Sequence, residues 1–128
     1  MIGIVLVSHS AALAEGLADL ARQVAGGDVR IVPAGGGPDA TLGTDGARIA
    51  AAIADADAGE GVLVLADIGS AVLSVRAVLE DGARCARAVL ADAPLVEGAV
   101  AAAVAASIGQ DLDAARGAAE EAWSVRKL

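Results

Sequence analysis

The chain has 128 residues, which fits one domain, and 56% of them are hydrophobic although it contains one Trp and neither Phe nor Tyr. Its core must therefore be built from Ala, Val, Leu and Ile, and such side chains favour close packing of helices on strands. The net charge of −8 argues against nucleic acid as a partner, because binding to phosphate backbones depends on clustered Lys and Arg.

The first predicted unit is a strand followed at once by a helix. The stretch from Gly3 to Val7 is an unbroken apolar run, which is typical of a strand covered on both faces in a parallel sheet. It ends at Ser8-His9-Ser10, where Ser10 is placed to cap a helix over Ala11–Val24. The predicted apolar face of that helix consists of Leu13, Leu17, Leu20 and Val24.

The second unit predicts a short strand over Val29–Val32, followed by a glycine-containing loop over Pro33–Gly43. Thr44 stands at an N-cap position before a helix that runs to about Ala56. The predicted buried stripe of this helix consists of Ile49, Ala50 and Ile53.

The third and fourth units repeat the pattern of a strand followed by a helix. Gly61–Ala66 is the most hydrophobic stretch and predicts a central strand, which is followed by Asp67 and by Ser70 as a helix cap. The fourth strand is predicted over Cys85–Leu90. The remaining helices are predicted from Ser70 to about Asp81, from Pro94 in a first turn to near Gly109, and over Leu112–Trp123.

Alternating strands and helices predict parallel βαβ units with right-handed crossovers. We therefore predict an α/β fold in a single domain over 1–128: a doubly wound, four-stranded parallel sheet of order 2-1-3-4 with helices on both faces. In this order the chain reverses direction across the sheet between strands one and three, which opens a crevice at their carboxyl ends. His9 follows strand one and Asp67 follows strand three, so these side chains are expected to face each other there.

A histidine paired with a carboxylate has a definite chemistry. The carboxylate accepts a hydrogen bond from one ring nitrogen, which fixes the tautomer and leaves a lone pair on the other nitrogen. We expect Asp67 to bind the Nδ1 proton of His9, so that Nε2 is the nucleophile. The candidates for holding an anion beside Nε2, by side chain or by helix-start N–H, are Ser10, Thr44, Gly69 and Ser70. These parts suit transfer of a phosphoryl group onto and off His9.

Each of these residues also has a purely structural interpretation. A lone histidine in a strand-to-helix turn can be a capping or solvated residue, and Asp67 is an acid of the kind common at helix starts. Ser10, Thr44 and Ser70 are helix caps first and contacts to an anion only in addition.

The sequence predicts no metal site and no bound cofactor. One histidine and one cysteine are too few for a zinc cluster, and the chain lacks the Gly-Lys-Ser/Thr motif of a Walker loop. Gly35, Gly37 and Ala40 match the spacing of a dinucleotide-binding loop, but Pro38 interrupts it.

No segment predicts export or a membrane span. The N-terminal apolar run is short and lacks a basic region before it, and the Ala-rich stretch between Glu97 and Asp111 is shorter than the roughly 20 residues that a span needs. The single cysteine, Cys85, cannot form an internal disulfide, which is typical of a reducing compartment. We therefore expect a cytoplasmic protein.

Four separated segments resemble, in order, the phosphotransfer subunit of the phosphoenolpyruvate (PEP)-dependent dihydroxyacetone kinase, the DhaM type. This family is related to the mannose-type IIA (EIIA) domains of the bacterial phosphotransferase system (PTS). The four segments are GIVLVSHSAALAEGLADLARQ, LGTDGARI, VLVLADIGSAVLS and APLVEGAVAA. Together they extend over almost the entire chain.

This resemblance implies the mannose-type EIIA fold and the activity of a phosphohistidine carrier, a component of a PEP–glycerone phosphotransferase. It implies that His9 accepts the phosphoryl group on Nε2 from the phosphocarrier HPr. It further implies transfer to ADP in the nucleotide-binding DhaL subunit, which phosphorylates dihydroxyacetone. Asp67 matches the family's histidine-orienting carboxylate. A homodimer is implied as well, and since the chain ends at Leu128 a separate HPr is expected.

Two alternatives remain open. Sugar-transport relatives usually carry an extra glycine and a proline in the loop after Asp67. Their absence from the segment Asp67 to Ala71 favours the dihydroxyacetone branch over an EIIA component of a mannose-type sugar transporter. From a different class, the chain could be a non-catalytic, flavodoxin-like ligand-binding module, in which case His9 would not become phosphorylated.

Overall fold

The computed structural model describes residues 1–81 and 87–128, apart from the side chain of Ala40. Its strands are β1 (Gly3–Ser8), β2 (Ile31–Gly35), β3 (Val62–Ala66) and β4 (Ala88–Leu90). Its α-helices are α1 (Ala11–Ala25), α2 (Gly46–Ala56), α3 (Gly69–Glu80), α4 (Leu95–Ser107) and α5 (Leu112–Glu121). Two short 3₁₀ helices span Pro38–Ala40 and Ala122–Ser124.

All four strands are parallel and lie in the order β2-β1-β3-β4, which confirms the predicted topology. Val7 of β1 pairs with Ala66 of β3, so the two strands end at the same level of the sheet. The Asp67 N–H donates to the Val7 carbonyl at 3.1 Å and continues this ladder by one residue. The residues that follow the two strands are therefore held side by side.

Helices on both faces of the sheet explain the apolar sequence of β1. Alternate residues of a strand point to opposite sides. Ile4 and Leu6 accordingly lie in a buried cluster with α1, α4 and α5, whereas Val5 and Val7 lie in a second cluster with α2 and α3. A strand with no side toward solvent needs no polar positions, hence the continuous apolar run.

The apolar face predicted for α1 is confirmed at Leu17 and wrong at Leu13, Leu20 and Val24. The helix turns bulky residues to solvent and buries a face made mostly of alanine. Exposed are Leu13, Leu20 and Val24, and buried are Ala14, Leu17, Ala18 and Ala21. The reason is that α1 lies very close to the sheet, since a Cβ on Gly35 of β2 would come within 2.8 Å of the Ala14 Cβ. At this point of the interface only a small side chain such as that of Ala14 fits.

Helix α4 shows the same preference for small buried residues, whereas α2 buries two isoleucines and two alanines. Ile49 and Ile53 of α2 are buried as predicted, but Ala50 is exposed and Ala52 is buried instead. Val96 and Val104 of α4 are exposed, while its alanines face the core.

In the described part of the chain, no helix combines the length and the apolar character that a membrane span requires.

The bounds of several elements differ from the prediction. Strand β2 covers Ile31–Gly35 rather than Val29–Val32, so the chain stays extended where a loop was expected. Helix α4 ends at Ser107, short of Gly109. Strand β4 is described over Ala88–Leu90, and the predicted first residue of that strand, Cys85, lies outside the described residues.

Pro33 lies inside β2 without disturbing the sheet. β2 is an edge strand, and its even-numbered residues bond to β1: the Gly36 N–H donates to the Ser8 carbonyl, and the Ile4 N–H donates to the Arg30 carbonyl. The odd-numbered residues therefore have their N atoms on the outer side. A proline there removes no hydrogen bond from the sheet.

The prediction of helix caps is confirmed at Ser10 and wrong at Thr44. The Ser10 Oγ accepts from the Leu13 N–H at 3.2 Å and caps α1. Helix α2 is capped by Asp45, whose carboxylate accepts from the Ala47 N–H at 3.0 Å. A carboxylate interacts more strongly with the positive end of a helix than a hydroxyl does, which favours the acid at this position.

Two further caps are shifted by one or two residues. Ile68 is the N-cap of α3, so Ser70 lies inside the first turn and its side chain is not used for capping. Pro94 is the N-cap of α4 and precedes the first turn, which begins at Leu95. The displacement of Ser70 matters because it frees a hydroxyl at the carboxyl edge of the sheet.

We expect Gly3→Ala to destabilise the fold, because a Cβ at residue 3 would lie 2.1 Å from the Ala56 carbonyl oxygen and would push the end of α2 away from β1. Such overpacking typically costs about 1–3 kcal/mol. Gly16→Ala is the matched control: a Cβ there meets nothing within 4 Å, and the substitution should stabilise α1 by about 0.5–1 kcal/mol. Urea unfolding followed by circular dichroism measures both effects, and equal free energies of unfolding would contradict the close contact.

Candidate functional site

His9 and Asp67, which were predicted to meet at the ends of β1 and β3, are in direct contact. The His9 Nδ1 and the Asp67 Oδ1 are 2.9 Å apart, and both side chains are partly buried. The contact joins residues 58 positions apart in the sequence. It follows from the register of β1 and β3, which end side by side.

Four hydrogen bonds converge on the carboxylate of Asp67. Its Oδ1 accepts from the His9 ring and from the Ile68 N–H at 2.8 Å. Its Oδ2 accepts from the Ser8 hydroxyl at 2.8 Å and from the His9 backbone N–H at 3.0 Å. Two carboxylate oxygens offer about four lone-pair positions, so the acceptor capacity of Asp67 is filled and its orientation is fixed.

The surroundings of Asp67 lower its pKa. Burial is the largest single influence and by itself would raise the pKa. It is outweighed by the combined hydrogen bonds from the His9 backbone N–H, the His9 ring, the Ile68 N–H and the Ser8 hydroxyl. Asp67 is consequently ionised at neutral pH and can only accept hydrogen bonds.

An ionised Asp67 determines which nitrogen of a neutral His9 carries the proton. Nδ1 must donate to the carboxylate, so the lone pair lies on Nε2. The Ser70 Oγ is 2.6 Å from Nε2 and therefore donates its proton to that lone pair. Asp67 thus fixes the ring through Nδ1, and the hydroxyl of Ser70 is hydrogen-bonded to the unprotonated Nε2.

Two helix starts border the imidazole. Ser70 reaches Nε2 from the first turn of α3, which begins at Gly69, and α1 begins at Ala11, two residues after His9. The first N–H groups of a helix have no partner within the helix and carry partial positive charge. This arrangement binds anionic groups, phosphate included, in many proteins.

Thr44 and Ser10 lie near the site, but within the described residues neither side chain hydrogen-bonds to the His9 ring. The Thr44 Oγ1 is 2.6 Å from the Ser74 Oγ. Because the Ser74 hydroxyl donates to the Ser70 carbonyl at 3.1 Å, Thr44 must be the donor in that pair. This chain of hydrogen bonds supports the turn of α3 that carries Ser70.

Three residues of the site were not predicted from the sequence. Ser8 binds Asp67, Ser74 links Thr44 to α3, and the Gly43 N–H donates to the His9 carbonyl at 3.0 Å. Ser8 had a signal in the sequence, because a polar residue that closes an otherwise apolar, buried strand needs a partner. Ser74 and Gly43 had none, since their contacts come from residues distant in the chain.

Among the residues described, no three His, Cys, Asp or Glu side chains are grouped so as to hold a metal ion. A cleft of about 600 Å³ borders Asp67 on the side of β4. Its charged lining residues besides Asp67 are Arg76, Asp92 and Arg116.

Residues 3–116 match the family model EIIA-man, described as PTS system fructose IIA component. The PEP-dependent dihydroxyacetone kinase 2, phosphoryl donor subunit DhaM, of Listeria innocua is 41% identical over 116 residues, which cover 89% of this chain and 93% of that protein. The DhaM subunit of Escherichia coli K12 is 42% identical over 88% of this chain. The match spans only 25% of that longer protein.

A solved structure supports the same fold. The crystal structure of EF1359, a protein of unknown function, superposes with a TM-score of 0.80 at 34% sequence identity. The superposition covers 94% of each chain. The likeness therefore extends over the whole sheet and its helices.

We expect wild type and Asp67→Asn to differ in stability at neutral pH and to converge in acid. The pKa of Asp67 is lower in the folded than in the unfolded chain, so in the acid range the unfolded chain binds more protons. The stabilising contribution of Asp67 is therefore complete above the ordinary aspartate pKa of about 3.9 and is lost as the pH falls through the lower pKa of the folded state.

Melting temperatures measured against pH test this expectation, with Asp28→Asn as the control because Asp28 is exposed and precedes β2, at the end of the sheet opposite His9. A difference between wild type and Asp67→Asn that stays constant into acid would contradict it.

Proposed function

Since the chain belongs to the EIIA-man family, the PTS system fructose IIA components, we propose that it is the phosphoryl donor subunit of a PEP-dependent dihydroxyacetone kinase. In this proposal Nε2 of His9 carries the phosphoryl group. The observation that supports it most directly is the pairing of His9 with Asp67 at one nitrogen and with Ser70 at the other, beside two helix starts. The names of the relatives support dihydroxyacetone as the final substrate.

In the first step Nε2 attacks the phosphorus of a phosphohistidine on the donor protein. The new Nε2–P bond forms as the P–N bond of the donor breaks, and the donor ring keeps the electron pair of that bond. The His9 ring gains positive charge while its Nδ1 proton stays on the side of Asp67. The ionised carboxylate stabilises this charge as it develops in the transition state.

Ser70 changes its hydrogen-bond partner in this step. The lone pair of Nε2 is consumed by the new bond, so the Ser70 hydroxyl is released to donate to a phosphoryl oxygen. The N–H groups at Gly69 and at the start of α1 add further donors. Ser10 and Thr44 stay as proposed contacts to the phosphoryl group, and Thr44 would give up its hydrogen bond to Ser74 to make this contact.

In the second step an oxygen of the β-phosphate of ADP attacks the phosphorus. The Nε2–P bond breaks, ATP forms and the lone pair returns to Nε2, where Ser70 can bind it again. We propose that the ADP is held by a DhaL-type subunit, on which the ATP phosphorylates dihydroxyacetone. HPr is the proposed donor, and a homodimer is the proposed assembly.

Incubation with PEP, enzyme I and HPr is expected to give one phosphoryl adduct on His9 that is labile in acid and stable in base. His9 is the only histidine of the chain, so His9→Ala should abolish this labelling completely. Intact-protein mass spectrometry before and after mild acid treatment measures the adduct. Circular dichroism of His9→Ala shows whether the fold is retained.

Labelling of His9→Ala at the wild-type level would overturn the proposal. The labelled wild-type protein is then divided between ADP-loaded DhaL and a mannose-type IIB domain. Discharge by DhaL alone supports the dihydroxyacetone branch. Discharge by the IIB domain alone supports the sugar-transport alternative, and absence of any labelling supports a non-catalytic module.

Ser70→Ala is expected to slow phosphoryl transfer about 10- to 100-fold, because it removes one hydrogen bond to a charged group in the transition state. Ser124→Ala is the matched control, since among the described residues the Ser124 hydroxyl bonds to the Glu121 carbonyl alone, in the C-terminal 3₁₀ helix. Single-turnover rates in rapid-quench experiments measure the effect. Equal rates for the two variants would remove Ser70 from the mechanism.

A further inference from the structure

We propose that Ser8 is a positioning residue of this site, which holds the Asp67 carboxylate in the orientation that fixes the tautomer of His9. Among the described residues, the Ser8 hydroxyl is hydrogen-bonded to Asp67 and to the Ser10 N–H and not to the ring of His9. Its effect on the His9 ring passes through Asp67. The inference rests on the proposed function for its effect on rate, but its effect on His9 itself is independent of that function.

Ser8 is unusual in its surroundings. It is the last residue of β1 and only 1% exposed, and among the described residues it is the one buried polar side chain. A buried hydroxyl without a partner is costly, so such residues persist where they are fully hydrogen-bonded. Ser8 meets this condition with two bonds, one of which ends at the catalytic carboxylate.

The direction of both bonds can be deduced. The Ser10 N–H can only donate, and it lies 3.1 Å from the Ser8 Oγ, so Ser8 accepts there. Asp67 is ionised and can only accept, so the single proton of the Ser8 hydroxyl points at Oδ2, 2.8 Å away. The orientation of the hydroxyl is therefore fixed. Through its two hydrogen bonds Ser8 links the backbone at the start of α1 to the carboxylate of Asp67.

Removal of this hydroxyl would leave the Ser10 N–H without its acceptor. At the carboxylate it would take a donor from one oxygen only. Oδ2 would retain only the His9 backbone N–H, whereas Oδ1 would retain both of its donors. The carboxylate could then rotate about its own axis, and the Nδ1 contact would loosen with it. On its other side Asp67 borders the cleft with Arg76, Asp92 and Arg116, and none of these is hydrogen-bonded to it within the described residues.

The test compares Ser8→Ala with Ser8→Thr, which keeps the hydroxyl, and with Ser124→Ala as a distant serine control. Nitrogen-15 NMR of the unphosphorylated protein reports the His9 tautomer, and carbon-13 NMR of the Asp67 carboxyl reports its titration. In Ser8→Ala we expect the Nδ1-protonated tautomer to lose population and the pKa of Asp67 to rise toward its ordinary value. Ser8→Thr and Ser124→Ala should resemble wild type in both measurements.

Rates of phosphoryl transfer supply a second readout. Ser8→Ala should slow transfer about 10-fold, as expected when one hydrogen bond to a charged group is lost. If Ser8 acts only through Asp67, the substitution should cause no further slowing in an Asp67→Ala background, which a double-mutant cycle measures. A merely structural role would lower the melting temperature without shifting the His9 tautomer.

Wild-type NMR spectra in Ser8→Ala would overturn the inference, whatever happens to its stability. Additive rates in the double-mutant cycle would overturn it as well. If Ser8→Ala does not fold, Ser8→Cys replaces it, since a thiol of similar size is a weak donor and should give the same shifts. Because the NMR readouts need no phosphoryl transfer, failure of the proposed function leaves them interpretable.

Discussion

The hydrogen-bonded carboxylate between the ends of β1 and β3 is the constraint on which the site depends. Two of its four donors are backbone N–H groups, from His9 and Ile68, so the strand pairing itself fixes where the carboxylate lies. The imidazole is then oriented by the carboxylate, and Ser70 meets the opposite ring nitrogen from α3. A change in the register of these two strands would separate the groups, because one residue of slip turns a side chain to the other face.

Much of this arrangement could be predicted from the sequence, and the reasons are physical. Apolar runs of strand length that alternate with helical patterns allow few topologies, and parallel strands present their carboxyl ends at one edge. These two rules alone predict that His9 and Asp67 lie next to each other, because each residue follows one of two neighbouring parallel strands. The roles of the two residues in catalysis stay a prediction, which rests on chemistry as well as position.

The parts that could not be predicted depend on distances between elements. Periodicity shows that α1 is amphipathic, but it does not show which side of the helix is buried. The buried side is the one rich in alanine, because α1 lies close to β2 at Gly35. Likewise, nothing near Thr44 in the sequence indicates that its hydroxyl bonds to Ser74, thirty residues later. Local patterns identify elements, whereas partners across the core are decided by packing.

The outer edge of β2 has a consequence for encounters between molecules. An exposed strand edge is a template on which a strand of another chain can add, which is a route to aggregation. In the middle of β2 the outward-facing position belongs to Pro33, which offers an incoming strand no donor and puts a bulky ring in its path. A strand of a neighbouring polypeptide would therefore lack a hydrogen-bond donor in the middle of this edge. Its addition to the sheet is disfavoured there.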